Sequence, residues 1–208
     1  MAKGVPGGYR IWDTSATRVD RDGSLVTLEH QDRSRWDRAA IAEGVELLEE
    51  APRLGRPGPY QIQAAIAACH ATAADAAATD WPQIVALYDR LAELVPSPVV
   101  RLNRAVAVGM AEGPAAGLAL VERLSAELPG YHLLPATRAD LLRRLGRSPE
   151  ATAAYREALA LAGNDAERLY LERRLAETGD VGVSVLASPV RRSGNDRAVG
   201  KRPGRRND

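Results

Sequence analysis

The stretch that decides the fold is LGRSPEATAAYREALAL, residues 145–161. It contains a glycine that ends one helix and a Ser-Pro-Glu sequence that starts the next. Within the second helix, Ala151, Tyr155 and Ala158 follow one another at spacings of four and three residues, which places them on one helical face. Gly163, five residues after Ala158, ends that helix. The small residue lets two helices approach, the ring fills the space to the next pair, and the breaker lets the chain reverse.

A second stretch repeats this pattern. Ile84, Tyr88 and Leu91 have similar spacings, and Pro96 takes the place of the terminal glycine. Tyr88 and Tyr155 are 67 residues apart, close to two periods of about 34, and the pattern is that of the second helix of a tetratricopeptide (TPR) repeat. The sequence therefore predicts an all-α fold, a TPR-like right-handed stack of antiparallel helix pairs, which is an α-solenoid.

Helical periodicity and capping residues predict eight helices joined by short links. Residues 1–33 are expected to form an irregular lead-in, in which the apolar run 25–28 is extended. Residues 34–178 form the helical domain. Residues 179–208 are Gly-, Arg- and Pro-rich without an apolar period, so a disordered basic tail is expected there. The eight apolar stripes cover 36–48, 62–69, 84–94, 102–108, 118–124, 131–145, 151–159 and 166–176.

The composition of the 208 residues excludes several classes of protein. Phe is absent, whereas Ala (37) and Leu (24) are abundant, which favours helices over a β-sandwich. A single cysteine excludes a disulfide framework and multi-cysteine zinc modules. Residues 181–208 carry about +5 and residues 1–180 about −4, so we expect no sequence-specific DNA binding by this fragment. Contact of the tail with nucleic acid or an acidic partner is the alternative to a solvated end. Neither a membrane span nor a signal peptide is apparent, which predicts a cytoplasmic protein.

The residues that usually carry chemistry do not form a catalytic set. His30, His70 and His132 lack the spacing of a metal site, and Cys69 lies on an Ala/Ile face without a basic neighbour. Phosphate-binding glycine loops and nucleophile elbows are also missing from the sequence. We therefore expect no enzyme activity, no cofactor, no metal and no small-molecule substrate.

The segment QDRSRWD concentrates charge around a tryptophan. It supplies the first interaction candidates: Gln31, Asp32, Arg33, Trp36 and Asp37. One interpretation is local, with an acid or serine that caps a helix, a tryptophan that anchors the core, and weak surface ion pairs. The other is that the charges lock this segment to a neighbouring segment or to a partner.

Polar residues on the first helices of the repeats are the second group of interaction candidates. They are expected to line part of the concave groove of the stack, where TPR-type proteins commonly hold peptides. A solvated helix face is the alternative interpretation for each of them. The residues are Asn103, Arg104, Arg138, Asp140 and Arg143, with Arg144 beside them.

Long blocks of the sequence resemble one known family. These blocks begin RVDRDGSLVTLEHQDRSRWD, RPGPYQIQAAIAACHA, TDWPQIVALYDRLAELVPSPVVRLNRAVAV and GYHLLPATRADLLRRLGRSPEA, and together they span residues 18–177. They are similar to the C-terminal TPR-like extension of a group of extracytoplasmic-function (ECF) RNA polymerase sigma factors of the sigma-70 family. Residues 1–15 do not share the resemblance, and we expect the chain to begin in the middle of a longer protein.

The resemblance implies a function for the chain. Family members carry a region that binds polymerase and reads the −10 element, then a region that reads the −35 element, and the 208 residues contain neither. The extension is thought to regulate activity in place of a separate anti-sigma factor. The implied partners are the RNA polymerase core and sigma regions 2 and 4 of a full-length relative. A free-standing TPR-like adaptor that binds a peptide or protein is the alternative.

Overall fold

The computed structural model describes Gly23 and residues 25–50 and 58–186, with side chains as far as residue 178. Within these residues the ordered elements are two short 3₁₀ turns, Leu28–His30 and Arg33–Arg35, followed by eight α-helices. The described part of the chain contains no β-sheet, which confirms the predicted all-α class. The helices are α1 Arg38–Glu50, α2 Pro59–Thr72, α3 Trp81–Leu94, α4 Pro98–Ala111, α5 Pro114–Arg123, α6 Leu133–Arg144, α7 Ser148–Leu161 and α8 Asp165–Leu186.

Capping residues and glycines set the helix boundaries. The side chain of Asp80 accepts a hydrogen bond from the backbone N–H of Gln83 and so caps α3. Ser97 caps α4 in the same way. Gly113 and Gly146 have φ values of 107° and 73°, a conformation that side chains disfavour, so each glycine permits a tight reversal between helices.

Each helix packs against the next one along the chain, and α4 also contacts α6. This succession of neighbouring contacts is the arrangement of an α-solenoid-like helical stack. No helix in the described ranges has both the length and the apolar character that crossing a bilayer requires.

The two repeat tyrosines lie between successive helix pairs. Tyr155 of α7 is 1% exposed in a cluster that includes Leu142 of α6 and Leu171 of α8. Tyr88 of α3 packs against the cluster formed by α2, α3 and α4, where it is half-buried. Both tyrosines therefore lie on the second helix of a pair, in clusters that include residues of the first helix of the next pair.

Two boundaries differ from the sequence-based expectation. The first helix starts at Arg38, after the predicted domain start at 34, because the Asp37 carboxylate accepts the backbone N–H of Ala40 and caps the helix there. At the other end, α8 continues to Leu186, beyond the predicted domain end at 178. The rest of the predicted tail, 187–208, and residues 1–22 of the lead-in lie outside the described residues.

The helices α4 and α5 cross closely at two glycines, Gly109 and Gly117. A Cβ on Gly117 would lie 2.7 Å from the Cα of Gly109 and 2.8 Å from the carbonyl oxygen of Ala105. These are backbone atoms, which a rotamer change cannot move. Glycine at 117 therefore sets the distance between the two helices.

We predict that Gly117→Ala lowers the free energy of unfolding by about 1–3 kcal/mol, since the added methyl overpacks the crossing. Without this steric conflict, the same change in a helix would stabilise the protein by about 1 kcal/mol. Gly163→Ala is the matched control, because a Cβ there would meet nothing within 4 Å. Urea denaturation measures both variants, and a Gly117→Ala protein as stable as the wild type would contradict the close crossing.

Candidate functional site: the groove and its strap

Residues of alternate helices, α2, α4, α6 and α8, line two cavities that part of the lead-in borders. We call this surface the groove. We call residues 25–30 the strap. At one end of the groove, a cavity of about 180 Å³ is lined by strap residues 25–27 together with Leu133 and Ala136 of α6 and Tyr170 of α8. Further along, Glu29 reaches α6, and Leu28 packs against the cluster of α1 and α2. The strap therefore contacts both ends of the groove, with residues 25–27 at α6 and α8 and Leu28 at α1 and α2.

An ion pair joins the strap to α6. The Glu29 carboxylate lies 3.0 Å from Nη2 of Arg144. The same guanidinium donates through Nε to Asp140 at 2.7 Å, and Asp140 also accepts from Arg143 at 2.6 Å. Burial opposes ionisation of Asp140, but the two arginines outweigh it and lower the pKa of this carboxyl below its usual value. Asp140 therefore orients Arg144 toward the groove.

Arg143 extends this polar cluster toward the core. Its guanidinium lies beside the Tyr155 hydroxyl, which is buried. Burial, together with the charge of Asp140, raises the pKa of Tyr155 to about 12. The phenol is therefore neutral at physiological pH, and the charged part of the cluster ends at Arg143.

Arg33 attaches the lead-in to the end of α2. Its Nη1 donates to the carbonyl oxygens of His70 at 2.7 Å and Ala73 at 2.8 Å. The guanidinium also lies 4.8 Å from the ring centroid of Trp36, a cation–π contact. Carbonyls at a helix C-terminus lack partners within the helix and carry a partial negative charge, so a guanidinium is well suited to them.

The other residues of the QDRSRWD segment make internal contacts as well. Trp36 is 4% exposed and packs against α1 and α2. Asp32 accepts hydrogen bonds from the Ser34 backbone and hydroxyl, Asp37 caps α1, and Gln31 donates to the carbonyl of Val26. The structure thus combines local capping with a lock onto a neighbouring segment. A role of these five residues in protein interaction stays a prediction.

An open cleft of about 540 Å³ lies beside the strap in the groove. Its walls combine two arginines with apolar and aromatic side chains, which is the mixed character of a binding pocket. The Thr79 side chain at its edge is buried, and its hydroxyl has no hydrogen-bond partner. The lining residues that matter below are Glu29, Arg33, Val106, Met110 and Arg144.

His70 borders this cleft in its neutral form. Its ring packs edge-on against Trp81, with the centroids 5.2 Å apart. Burial lowers the pKa of His70 to about 4, and the positive charge of Arg33 contributes to that shift.

The predicted groove residues fall into separate places. Asn103 is exposed on α4, one turn before Val106 of the cleft. Arg104 forms an ion pair with Asp89 of α3. Arg138 lines a different cleft, of about 260 Å³, between α5, α6 and α7. The side chains of Arg104 and Arg138 therefore contact neighbouring helices, and their expected position in the groove stays a prediction. Whether any of these residues binds a protein stays a prediction.

Residues important to this site were missed in the sequence. The sequence does not identify Glu29 as an interaction residue, because a single acidic residue in an irregular segment belongs to no pattern. For the apolar run 25–28 the sequence predicts an extended link into the first helix, whereas in the structure this segment packs across the stack. A signal was present in that run, since consecutive apolar residues in a loop indicate that it packs on something.

The described residues show no arrangement for metal binding or thiol chemistry. No group of three or more His, Cys, Asp or Glu side chains in the described residues could hold a metal ion. The Cys69 thiol donates to Gln83 at 3.3 Å, and burial raises the pKa of this thiol.

Comparisons with known proteins give a partial family match and one related protein of unknown role. Residues 14–52, which include the strap and α1, match the family of unknown function DUF6596. An uncharacterized protein of Rhizobium meliloti (strain 1021) is 51% identical over 158 residues, which cover 76% of this chain and 37% of the relative. The chain thus spans little more than a third of that relative. No solved structure shows significant similarity to the chain.

We predict that Arg33→Ala lowers the free energy of unfolding by about 2 kcal/mol, because two charge-assisted hydrogen bonds to backbone carbonyls are lost. Arg33→Lys should recover part of the loss, since an ammonium keeps the charge without the planar fork. Arg90→Ala is the control: Arg90 forms an exposed ion pair with Glu93, so its loss should change stability by less than about 0.5 kcal/mol. Equal stability of the Arg33→Ala and Arg90→Ala proteins in urea would contradict the role given to Arg33.

The depressed pKa of His70 predicts a pH dependence of stability. Between pH 6.5 and 4 the unfolded chain binds a proton at His70 that the folded chain does not, so stability falls as the pH falls through this window. From pH 7 to pH 5 the loss should reach up to about 2 kcal/mol. His70→Phe keeps a ring against Trp81 and removes the titration. Denaturation curves of the two proteins at both pH values test this, and parallel losses would refute it.

Proposed function

We propose that this chain is the C-terminal regulatory and protein-interaction part of an ECF RNA polymerase sigma factor, acting in DNA-templated transcription initiation. The observation that carries the interaction role is that apolar side chains lining the groove are left exposed. Val106 of α4, in the 540 Å³ cleft, and Leu133 of α6, in the 180 Å³ cavity, are 37% and 42% exposed, respectively. Partly exposed apolar residues of this kind mark surfaces that bind other proteins.

The assignment to transcription comes from the resemblance of residues 18–177 to the extensions of such sigma factors. The rhizobial relative supports only the coarser idea that such a segment can be part of a longer protein, since the matched region accounts for 37% of its length. In this proposal the groove binds sigma regions 2 and 4 or the RNA polymerase core in the bacterial cytoplasm. Binding that differs between the active and inactive states shifts the balance between them, and so changes the rate of initiation.

A free-standing adaptor is the second candidate. The mixed apolar and basic character of the cleft supports it, because such a cleft would also accept a peptide unrelated to transcription. The two candidates agree on the groove and differ in the partner.

The test of the sigma-factor assignment is reconstituted transcription with the RNA polymerase core and the full-length rhizobial relative. We expect promoter-dependent initiation from the relative and none from this chain added alone. Failure of the relative to direct initiation, with a groove that still binds peptides, would replace the sigma-factor assignment with the adaptor.

The test of the groove is direct binding of this chain to the polymerase core and to the unmatched part of the relative, measured by calorimetry. Val106→Asp should weaken binding at least about tenfold, because it places a carboxylate on the apolar contact surface. Leu161→Asp is the matched control, since Leu161 is 38% exposed at the end of α7 and is not among the residues that line the cleft. Equal effects of the two substitutions would contradict binding through the groove.

A further inference from the structure

The strap covers part of the surface that a partner would need. We propose that the strap is a displaceable occupant of the groove, and that the partner which replaces it is an extended polypeptide segment presenting aliphatic side chains and a carboxylate to the same sites. This inference deepens the proposed interaction function and rests on it.

The strap itself shows which chemistry the groove accepts. Leu25 and Val26 line the small cavity against α6 and α8, and Glu29 presents its carboxylate to Arg144. A segment with two aliphatic residues followed a few positions later by an acid would match the same surface. The backbone N–H of His30 bonds to the carbonyl of Thr27, so this part of the strap also satisfies hydrogen bonds within itself.

The anion site is held in place by residues outside the strap. Arg144 is fixed by Asp140 through Nε, and its Nη1 lies 3.2 Å from the sulfur of Met110. Departure of Glu29 would therefore leave an oriented guanidinium with a free edge, which is the geometry that binds a carboxylate. Orientation in advance reduces the entropy that a partner must lose on binding.

The strap is held by modest contacts. None of residues 28–30 is buried, and the Glu29 side chain is 47% exposed. Ion pairs at such exposure contribute at most about 1 kcal/mol. A bound partner that makes the same contacts over a longer stretch can therefore compete with the strap, although the strap has the advantage of an effective concentration in the millimolar range.

The groove also has room for more than the strap. The 540 Å³ cleft remains open beside Glu29, bordered by Val106 and Met110. A segment longer than the strap would place further side chains there and so gain contacts that the strap does not make.

A polypeptide fits this surface better than a nucleic acid does. The Nη1 group of Arg33 is already bonded to two carbonyls, and Arg144 has Asp140 beside it. A row of phosphates needs a row of uncommitted cations, which this lining does not provide. Aliphatic pockets next to a single oriented guanidinium are instead suited to an acidic peptide.

The experiment uses the full chain and a fluorescein-labelled peptide with the strap sequence LVTLEHQ, residues 25–31. Fluorescence anisotropy measures its binding to the wild-type chain and to the Glu29→Lys chain, in which the strap is repelled by Arg144. We expect the peptide to bind Glu29→Lys about fivefold or more tightly than it binds the wild type, because weakening the internal competitor raises the apparent affinity. Glu127→Lys is the matched control, since Glu127 forms another exposed pair with an arginine, Arg101, and it should leave the affinity unchanged.

A second arm reverses the charges. The Arg144→Glu chain should prefer a peptide with Lys in place of its glutamate, and the Arg144→Gln chain should lose the preference for Glu over Gln in the peptide. Circular dichroism confirms that each variant is folded. Equal peptide affinities of the Glu29→Lys and wild-type chains, or no binding to either, would overturn the displaceable strap. The polymerase-binding test above does not depend on binding of the strap peptide, so it can succeed when this one fails.

Discussion

The rest of the structure depends on the close approach of helices that alanine and glycine permit. At the α4–α5 crossing, Gly117 faces Gly109 without space for a methyl group, and Ala105 lies fully buried beside them. Small residues at such crossings bring whole helix faces together and bury the larger aliphatic side chains around them. Each helix packs against the next one along the chain, and residues of α2, α4, α6 and α8 line the groove.

The lead-in is attached to this row of helices by two arginine contacts. Arg33 joins it to the end of α2, and the Glu29–Arg144 pair joins it to the end of α6. The two arginines do different work. Arg33 satisfies carbonyls that the end of a helix leaves unpaired, which makes it part of the fold. Arg144 is oriented by Asp140 and faces an exposed carboxylate, so it is available for exchange between an internal and an external partner.

Much of the fold could be predicted from the sequence, because helical periodicity, capping residues and helix-ending glycines involve residues that are close together in the chain. Asp80, Ser97, Gly113 and Gly146 each act within a few residues, and all four lie where helices begin or end. The site could not be predicted to the same degree. Glu29 and Arg144 are 115 positions apart in the chain, so no local sequence pattern predicts their contact. The contacts of Arg104 with Asp89 and of Arg138 with its cleft are not apparent in the sequence for a related reason, since neighbouring helices as well as the helical period determine what a side chain contacts.

Methyl NMR of the full chain measures whether residues 25–30 lie across the row of helices. Methyl groups of Leu25 and Val26 share one small cavity with those of Leu133 and Ala136. We expect nuclear Overhauser effects between the methyl groups of the strap and those of α6. Their absence, with Leu25 and Val26 methyl shifts at random-coil values, would contradict this placement of the strap.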